Sequence, residues 1–240
     1  MLSRGVEDTV LARNAPALFN LHTLPSMFWD DRVRRAPDGS LITPAGADLT
    51  PAMQATLAFG PVAAQAMFPV VDRSEMRGQP GENELADLPD DDWAGVWAAL
   101  MDRLRAEPAY VAMLEEAYPG VPVSEMTFAH AANAIAAFEI TAFASLDSPF
   151  ERFLAGENAL TTAQADGVRA FVEGGCARCH NGVGATDALP HNTGLAQIGP
   201  GAGDGPSGLE DRGVELWRFR TPPLTNTTLT GPWGHAGQYD

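Results

Sequence analysis

Apolar residues recur at helical spacing in four separate stretches of this chain, with turn formers between them. Trp93, Val96, Trp97, Leu100 and Leu104 line one face behind Asp90-Asp91-Asp92, whose carboxylates suit an N-cap and a first helical turn. A second, shorter helix follows Pro108 with Tyr110, Val111, Leu114 and Ala117 and stops at Pro119-Gly120. The third is expected from Ser124-Glu125 through Phe128, Ala132, Ile135, Ala136 and Glu139 to Phe143, ending near Leu146-Asp147-Ser148-Pro149. A fourth, capped by Thr161 or Thr162, carries Val168, Phe171 and Val172. By contrast, Ser3 to Pro51 is dense in turn formers, among them Asn14-Ala15-Pro16, Pro37-Asp38-Gly39 and Pro44-Ala45-Gly46, which predicts irregular chain with short helices. The glycine-rich tract Gly199 to Gly208 follows no strand and opens no helix, so it reads as a surface loop and not as a nucleotide cradle. Strand signals are few and no short repeat is present, so the expected class is mainly α with long ordered loops.

The fourth helix leads into Cys176-Ala177-Arg178-Cys179-His180. Cys-x-x-Cys-His is the attachment signature of a c-type haem. On a helical turn the two thiols reach the two vinyl groups of one porphyrin, and His180 turns its imidazole to the iron as proximal ligand. Other chemistries fit less well. A closed zinc site needs four ligands, and with two cysteines in the chain it would have to recruit His180 and a distant histidine. A thioredoxin-type dithiol belongs at a helix start after a strand, whereas Thr161 to Val172 reads as helix. A disulfide between residues three apart leaves His180 without a role.

Composition narrows the partners. With 240 residues, 45% of them hydrophobic, the chain buries a core of one large or two small domains. Fifteen basic against 31 acidic residues give a formal charge of −16, which argues against nucleic acid and anionic membrane surfaces and favours a basic redox partner. No apolar run approaches the length of a membrane span, and Met1-Leu2-Ser3-Arg4-Gly5 lacks the apolar centre of a signal peptide. Covalent haem attachment in bacteria is periplasmic, so a periplasmic protein with an export signal upstream of this sequence is expected.

Several separated motifs, taken in order, resemble the bacterial di-haem cytochrome c peroxidases, including their MauG-like branch. They are Arg13-Asn14-Ala15-Pro16-Ala17-Leu18-Phe19-Asn20, Phe28-Trp29-Asp30-Asp31-Arg32, Ser74-Glu75-Met76 and Ala134-Ile135-Ala136-Ala137-Phe138-Glu139. Ser148-Pro149-Phe150-Glu151-Arg152-Phe153-Leu154-Ala155-Gly156 follows, then the haem pentapeptide, His191-Asn192-Thr193-Gly194, Thr221-Pro222-Pro223-Leu224 and Thr230-Gly231-Pro232. The resemblance covers nearly the whole chain. It implies two cytochrome c-like haem domains, here both incomplete: residues 1–146 as a partial N-terminal, peroxidatic domain and 147–240 as a truncated C-terminal, electron-relay domain. It also implies a calcium ion near their interface, reduction of hydrogen peroxide to water at the N-terminal haem, and a small electron-donor protein, a c-type cytochrome or a cupredoxin. A homodimer is within the family's range.

Site residues follow from the same resemblance. Cys176, Cys179 and His180 match the residues that hold the relay haem. Trp29 matches a tryptophan that bridges the two haems; read alone, it is a packing indole. Glu75 matches the acid/base glutamate on the peroxide side, and Gln65 the glutamine of the same pocket. A positioned carboxyl there shuttles the proton that O–O cleavage needs; read alone, Glu75 is a solvated charge. Asn14 matches a side-chain calcium ligand, with Thr230 and Pro232 as carbonyl donors, an oxygen set that hard cations prefer; read alone, Asn14 caps a turn. His22 and His130 read as surface or packing residues, and neither His191 nor His235 is assigned to iron.

The chain also departs from the pattern. The family's second Cys-x-x-Cys-His, expected before Asn14, is absent, and Gly234-His235-Ala236-Gly237 stops short of the sixth ligand of the C-terminal haem, so a fragment lacking both ends is expected. An insertion spans Ala36 to Gly60, and Thr225-Asn226 stands where Arg-Asn is usual. Peroxidase activity is the leading expectation. MauG-like oxidation of a protein side chain, a non-catalytic mono-haem electron carrier and a degenerate binding relative are the alternatives.

Overall fold

A computed structural model of the chain describes residues 13–196, 198 and 218–239; the glycine-rich tract 199–208 and the first twelve residues lie outside them. The elements, in chain order, are strands β1 (Ser26–Met27), β2 (Val33–Arg35) and β3 (Leu41–Ile42), then helices α1 (Pro51–Thr56), α2 (Pro61–Gln65), α3 (Trp93–Arg105), α4 (Pro108–Ala117), α5 (Phe128–Ala142), α6 (Pro149–Leu154) and α7 (Thr162–Glu173), then strands β4 (Pro190–His191) and β5 (Phe219–Arg220). The class is mainly α, as the hydrophobic spacing predicts. Among the described residues, 33–138 form one compact unit; 13–32 and 139–239 form the other. The first is continuous in sequence and the second is split, and the chain passes between them within α5.

In the continuous unit, α3 buries Val96, Trp97 and Met101, while Leu100 and Leu104 of the predicted face are half-buried. Trp97 can be buried because its indole N–H has a buried partner, the Met67 carbonyl at 2.8 Å. Phe68 meets Trp93 and Trp97 edge-on. The insertion is part of this core: Leu49, Met53 and Leu57 are buried, and the Thr50 hydroxyl caps α1 by accepting the Met53 N–H. The insertion ends at Gly60, where φ is +57° and ψ −128°, a backbone conformation that residues with a Cβ rarely adopt.

The third predicted helix is corrected. Val123–Glu125 is a separate 3-10 turn, Met126 is extended and fully buried, and α5 begins at Phe128. His130 causes the break: its Nδ1 accepts the Thr127 N–H at 3.0 Å, standing in for the carboxylate of a capping box. The expectation that His130 only packs is thereby sharpened. It does pack edge-on against Tyr118, 4.7 Å between centroids, and it also starts the helix. Further along, α6 was not predicted, although Ser148-x-x-Glu151 spells its capping box and both reciprocal bonds form. Thr161 and Gln164 cap α7 in the same way.

Two buried asparagines tie the irregular segments to the helices. Asn133, on α5, accepts the Ala58 N–H at 3.0 Å and donates to the Thr56 carbonyl at 2.7 Å. In the split unit Asn20 accepts the Ser145 N–H at 2.8 Å, donates to the Ser145 carbonyl at 2.7 Å, and gives its own backbone N–H to Phe143. Each side chain acts as a peptide group facing another. Replacing either removes two hydrogen bonds to main-chain groups, those of Ser145 or those of Thr56 and Ala58, so Asn20→Ala and Asn133→Ala are each expected to cost about 1–3 kcal/mol. The urea midpoint of each variant measures this; an unchanged midpoint removes the clamp from the account of that unit.

Candidate functional site

Chain direction changes sharply after α7. Gly175 takes φ +79°, and Cys176–Arg178 form a 3-10 turn closed by the Cys179 N–H on the Cys176 carbonyl at 3.3 Å, with the His180 N–H reaching the same carbonyl at 3.0 Å. Both cysteines are free thiols, Cys176 exposed and Cys179 half-buried. The His180 Nδ1 lies 3.0 Å from the Ala185 carbonyl. A carbonyl only accepts, so the proton sits on Nδ1 and the Nε2 lone pair is left for a metal. Ala185 presents that carbonyl from φ +51°, next to Gly184 at φ +70°. For a residue with a Cβ this conformation costs about 1–2 kcal/mol. Beside the motif, α7 has no buried residue: Val168 and Phe171 are half-buried and Val172 is exposed, leaving an apolar face beside the thiols. Phe171 meets the His180 ring edge-on at 6.4 Å.

Downstream of His180, the Asp187 N–H returns to the Cys179 carbonyl at 2.8 Å, and the β4–β5 pair sets His191 opposite Phe219. His191 Nε2 lies 2.8 Å from Asp187 Oδ2. Burial pushes the Asp187 carboxyl up, but hydrogen bonds from the Leu189 N–H, His191 and the Thr221 hydroxyl outweigh it and hold the group below the usual carboxylate value. Asp187 was not singled out from the sequence, where nothing separates it from a loop acid.

Trp29 and the expected calcium residues lie together in the split unit. The half-buried Trp29 indole donates to the Asn14 carbonyl at 2.7 Å, and the Asn14 amide nitrogen lies 3.4 Å from the Thr230 carbonyl. Pro232 follows on the same segment, half-buried. On its other side the Trp29 carbonyl accepts the Arg220 N–H at 2.8 Å. Arg220 is itself buried and donates through Nε to the Phe28 carbonyl; burial lowers its pKa and the Asp31 charge opposes that shift. Trp29 is therefore held at both its indole and its backbone, beyond what packing alone asks of it. Arg220 is a second residue the sequence reading passed over, although it directly precedes Thr221-Pro222-Pro223-Leu224.

Gln65 and Glu75 belong to the continuous unit. Gln65 ends α2 and is half-buried; Glu75 is exposed on a single π-helical turn, Arg73–Arg77. Asp72 caps that turn through the Ser74 and Glu75 N–H groups at 2.7 and 3.2 Å. Two arginines hold it from below. Arg77, 1% exposed, donates to the Leu85, Leu88 and Pro89 carbonyls, and Arg73 donates to those of Gly78 and Ala86 and pairs with Asp90. The Ser-Glu-Met motif thus sits on a rigid base. The signal that finds it is Asp72 two residues before Ser74, with Arg73 and Arg77 on either side of Ser74-Glu75-Met76.

A family profile described as di-haem cytochrome c peroxidase matches residues 1–159. The chain is 30% identical to the cytochrome c551 peroxidase of Pseudomonas aeruginosa over 94% of its own length and 54% of that protein. It is 33% identical to the methylamine utilization protein MauG of Paracoccus denitrificans over 70% of its length and 48% of that protein. The chain spans about half the length of these curated relatives. Among solved structures, a MauG-like protein associated with microbial copper homeostasis shares the fold with a TM-score of 0.64 at 24% identity, over 99% of this chain and 62% of that one.

One histidine near Trp29's neighbours gives a pH test. His235 stacks on Phe219 with centroids 4.4 Å apart, and burial, followed by the Arg13 charge, lowers its pKa from 6.5. The folded state then binds fewer protons than the unfolded state just below pH 6.5, so the stabilisation it contributes is present above that value and is lost as pH falls through the lowered pKa. The urea midpoint of the wild type is expected to fall between pH 7.5 and 5, and His235→Phe to remove part of that fall. Parallel curves for the two proteins would exclude His235 as a contributor.

Proposed function

Because the chain belongs to the di-haem cytochrome c peroxidase family, we propose that it carries the electron-relay c-type haem of an oxidoreductase that reduces hydrogen peroxide to water. Cys176 and Cys179 are its attachment points and His180 its proximal ligand. This reading rests on the hydrogen bond from His180 Nδ1 to the Ala185 carbonyl, which presets the tautomer an iron ligand needs, beside two free thiols and an uncovered apolar helix face. The donor set fits the group. When bound, the haem supplies one-electron chemistry.

The other residues take roles suited to their settings. Trp29, fixed through Asn14 and Arg220, offers a positioned aromatic for electron passage. Glu75, on its braced turn, moves the proton that peroxide cleavage requires, and Gln65 supplies an amide to the same pocket. Asn14, Thr230 and Pro232 hold calcium: the Asn14 amide already faces the Thr230 carbonyl, and half a turn of that amide brings its oxygen to the same place, giving the neutral oxygen donors this cation takes. Residues 1–146 correspond to the peroxidatic domain and 147–240 to the relay domain. The charge of −16 favours a small electron donor with a basic face, a c-type cytochrome or cupredoxin, met in the periplasm.

The likeness to MauG supports a second reading, oxidation of a protein side chain with peroxide as oxidant. Turnover with a reduced donor protein alone favours the first reading; turnover only with a protein substrate favours the second.

Expressed with the cytochrome c maturation machinery, the chain is expected to gain one covalent haem, seen by mass and by haem staining and lost in Cys176→Ala/Cys179→Ala. A chain that stays haem-free refutes the attachment site. In a form carrying both haems, Glu75→Gln is expected to retain them and lose about a hundredfold or more of peroxide turnover. Wild-type rates there would discard the proton-transfer role.

A further inference from the structure

Cys179, Asp187 and His191 each offer one ligating atom, and the three atoms all lie within 4.8 Å of one another. All three residues are half-buried, and the loop that carries them is held from several sides. The Asp187 N–H is fixed to the Cys179 carbonyl, and Asp187 Oδ1 accepts the Leu189 N–H at 3.0 Å. The Thr186 hydroxyl donates to the Thr221 carbonyl at 2.6 Å, and His191 sits in the β4–β5 ladder. The cluster is therefore built by the backbone and not by chance meeting of long side chains. Thiolate sulfur, carboxylate oxygen and imidazole nitrogen make a three-ligand set with an open fourth position, the donor pattern of an open zinc site. His191 Nε2 and Asp187 Oδ2 are 2.8 Å apart around a shared proton. Two ligands on a tetrahedral zinc stand about 3.4 Å apart, so an ion replaces that proton with an opening of roughly half an ångström.

We propose that the chain, before haem is attached, binds one zinc-class divalent cation through Cys179, Asp187 and His191, and that this ion and the haem exclude one another at Cys179. The exclusion rests on the haem reading above; the metal site does not. On binding the ion, the Cys179 thiol forms a sulfur–metal bond and releases its proton to solvent. On haem attachment the same S–H adds across a vinyl double bond, sulfur to one carbon and hydrogen to the other, with no net change of oxidation state. The product is a neutral thioether, which no longer offers the thiolate that this ion prefers. Holding Cys179 on a metal also keeps it from oxidative coupling to Cys176 three residues away in a disulfide-forming compartment.

The test uses the reduced, haem-free 240-residue chain, with Co2+ as a spectroscopic probe and Zn2+ as competitor. The expected result is one Co2+ per chain with a thiolate charge-transfer band, displaced by Zn2+ and absent from the haem-loaded chain. His191→Gln and Asp187→Asn should each weaken binding by about tenfold or more, while Cys176→Ala leaves it unchanged. Absence of the band, or a band that needs Cys176 and survives His191→Gln, overturns the site. A variant that does not fold is replaced by a measurement on the wild type: native mass spectrometry should show one zinc, released when Cys179 is alkylated, and zinc retained after alkylation refutes its ligation. Excess Zn2+ should slow covalent haem attachment to the wild-type chain, and equal rates with and without zinc overturn the exclusion. A chain that binds Co2+ as described yet never attaches haem defeats the haem reading and the exclusion while leaving the metal site in place.

Discussion

Backbone hydrogen bonding is the constraint on which this structure depends. Much of the chain is neither helix nor strand, and main-chain N–H and C=O groups that leave water without a partner cost more than the chain's marginal stability tolerates. Asn133 and Asn20 meet that demand in the same way, one in each unit, by pairing a side-chain amide with main-chain groups on both its donor and acceptor sides. Arg77 and Arg73 do it for the turn that bears Glu75, where guanidinium groups take up carbonyls that no secondary structure reaches. Loops braced in this manner hold side chains almost as firmly as helices do, which is what a site built from loop residues needs.

The same economy of partners runs through the candidate site. His180 has its Nδ1 proton accepted by the Ala185 carbonyl, which is presented from a left-handed backbone conformation. Trp29 is fixed by Asn14 at its ring and by Arg220 at its carbonyl, so the expected electron-transfer residue and the expected calcium residues share one network. Asn14 faces Thr230 across 216 positions of sequence. A disturbance at the Thr230 segment would therefore reach Trp29 through a single intervening residue, Asn14.

Local signals were the ones legible in the sequence. Apolar spacing marked α3, α4 and α7 because a helix with one buried or coverable face must repeat near 3.6 residues, and Pro108 and the threonines at 161 and 162 marked two of their starts. Ser148-x-x-Glu151 was equally legible and went unused. The start of α5 was not legible, since an imidazole capping Thr127 looks like any histidine on an alanine-rich helix until its partner is seen. Nor were Arg220, Asp187 and Asn20: each acts on a residue far away in sequence or through a main-chain group, and neither leaves a spacing.

By itself, then, the sequence determined the helical class, the haem pentapeptide and the motif order that places the chain in its family, because each of these is written in residues a few positions apart. Tertiary structure decided which nitrogen of His180 carries the proton, that Asn14 and Thr230 meet, and that Cys179, Asp187 and His191 converge. Those outcomes depend on carbonyl directions and on pairings across loops, and no local propensity encodes them.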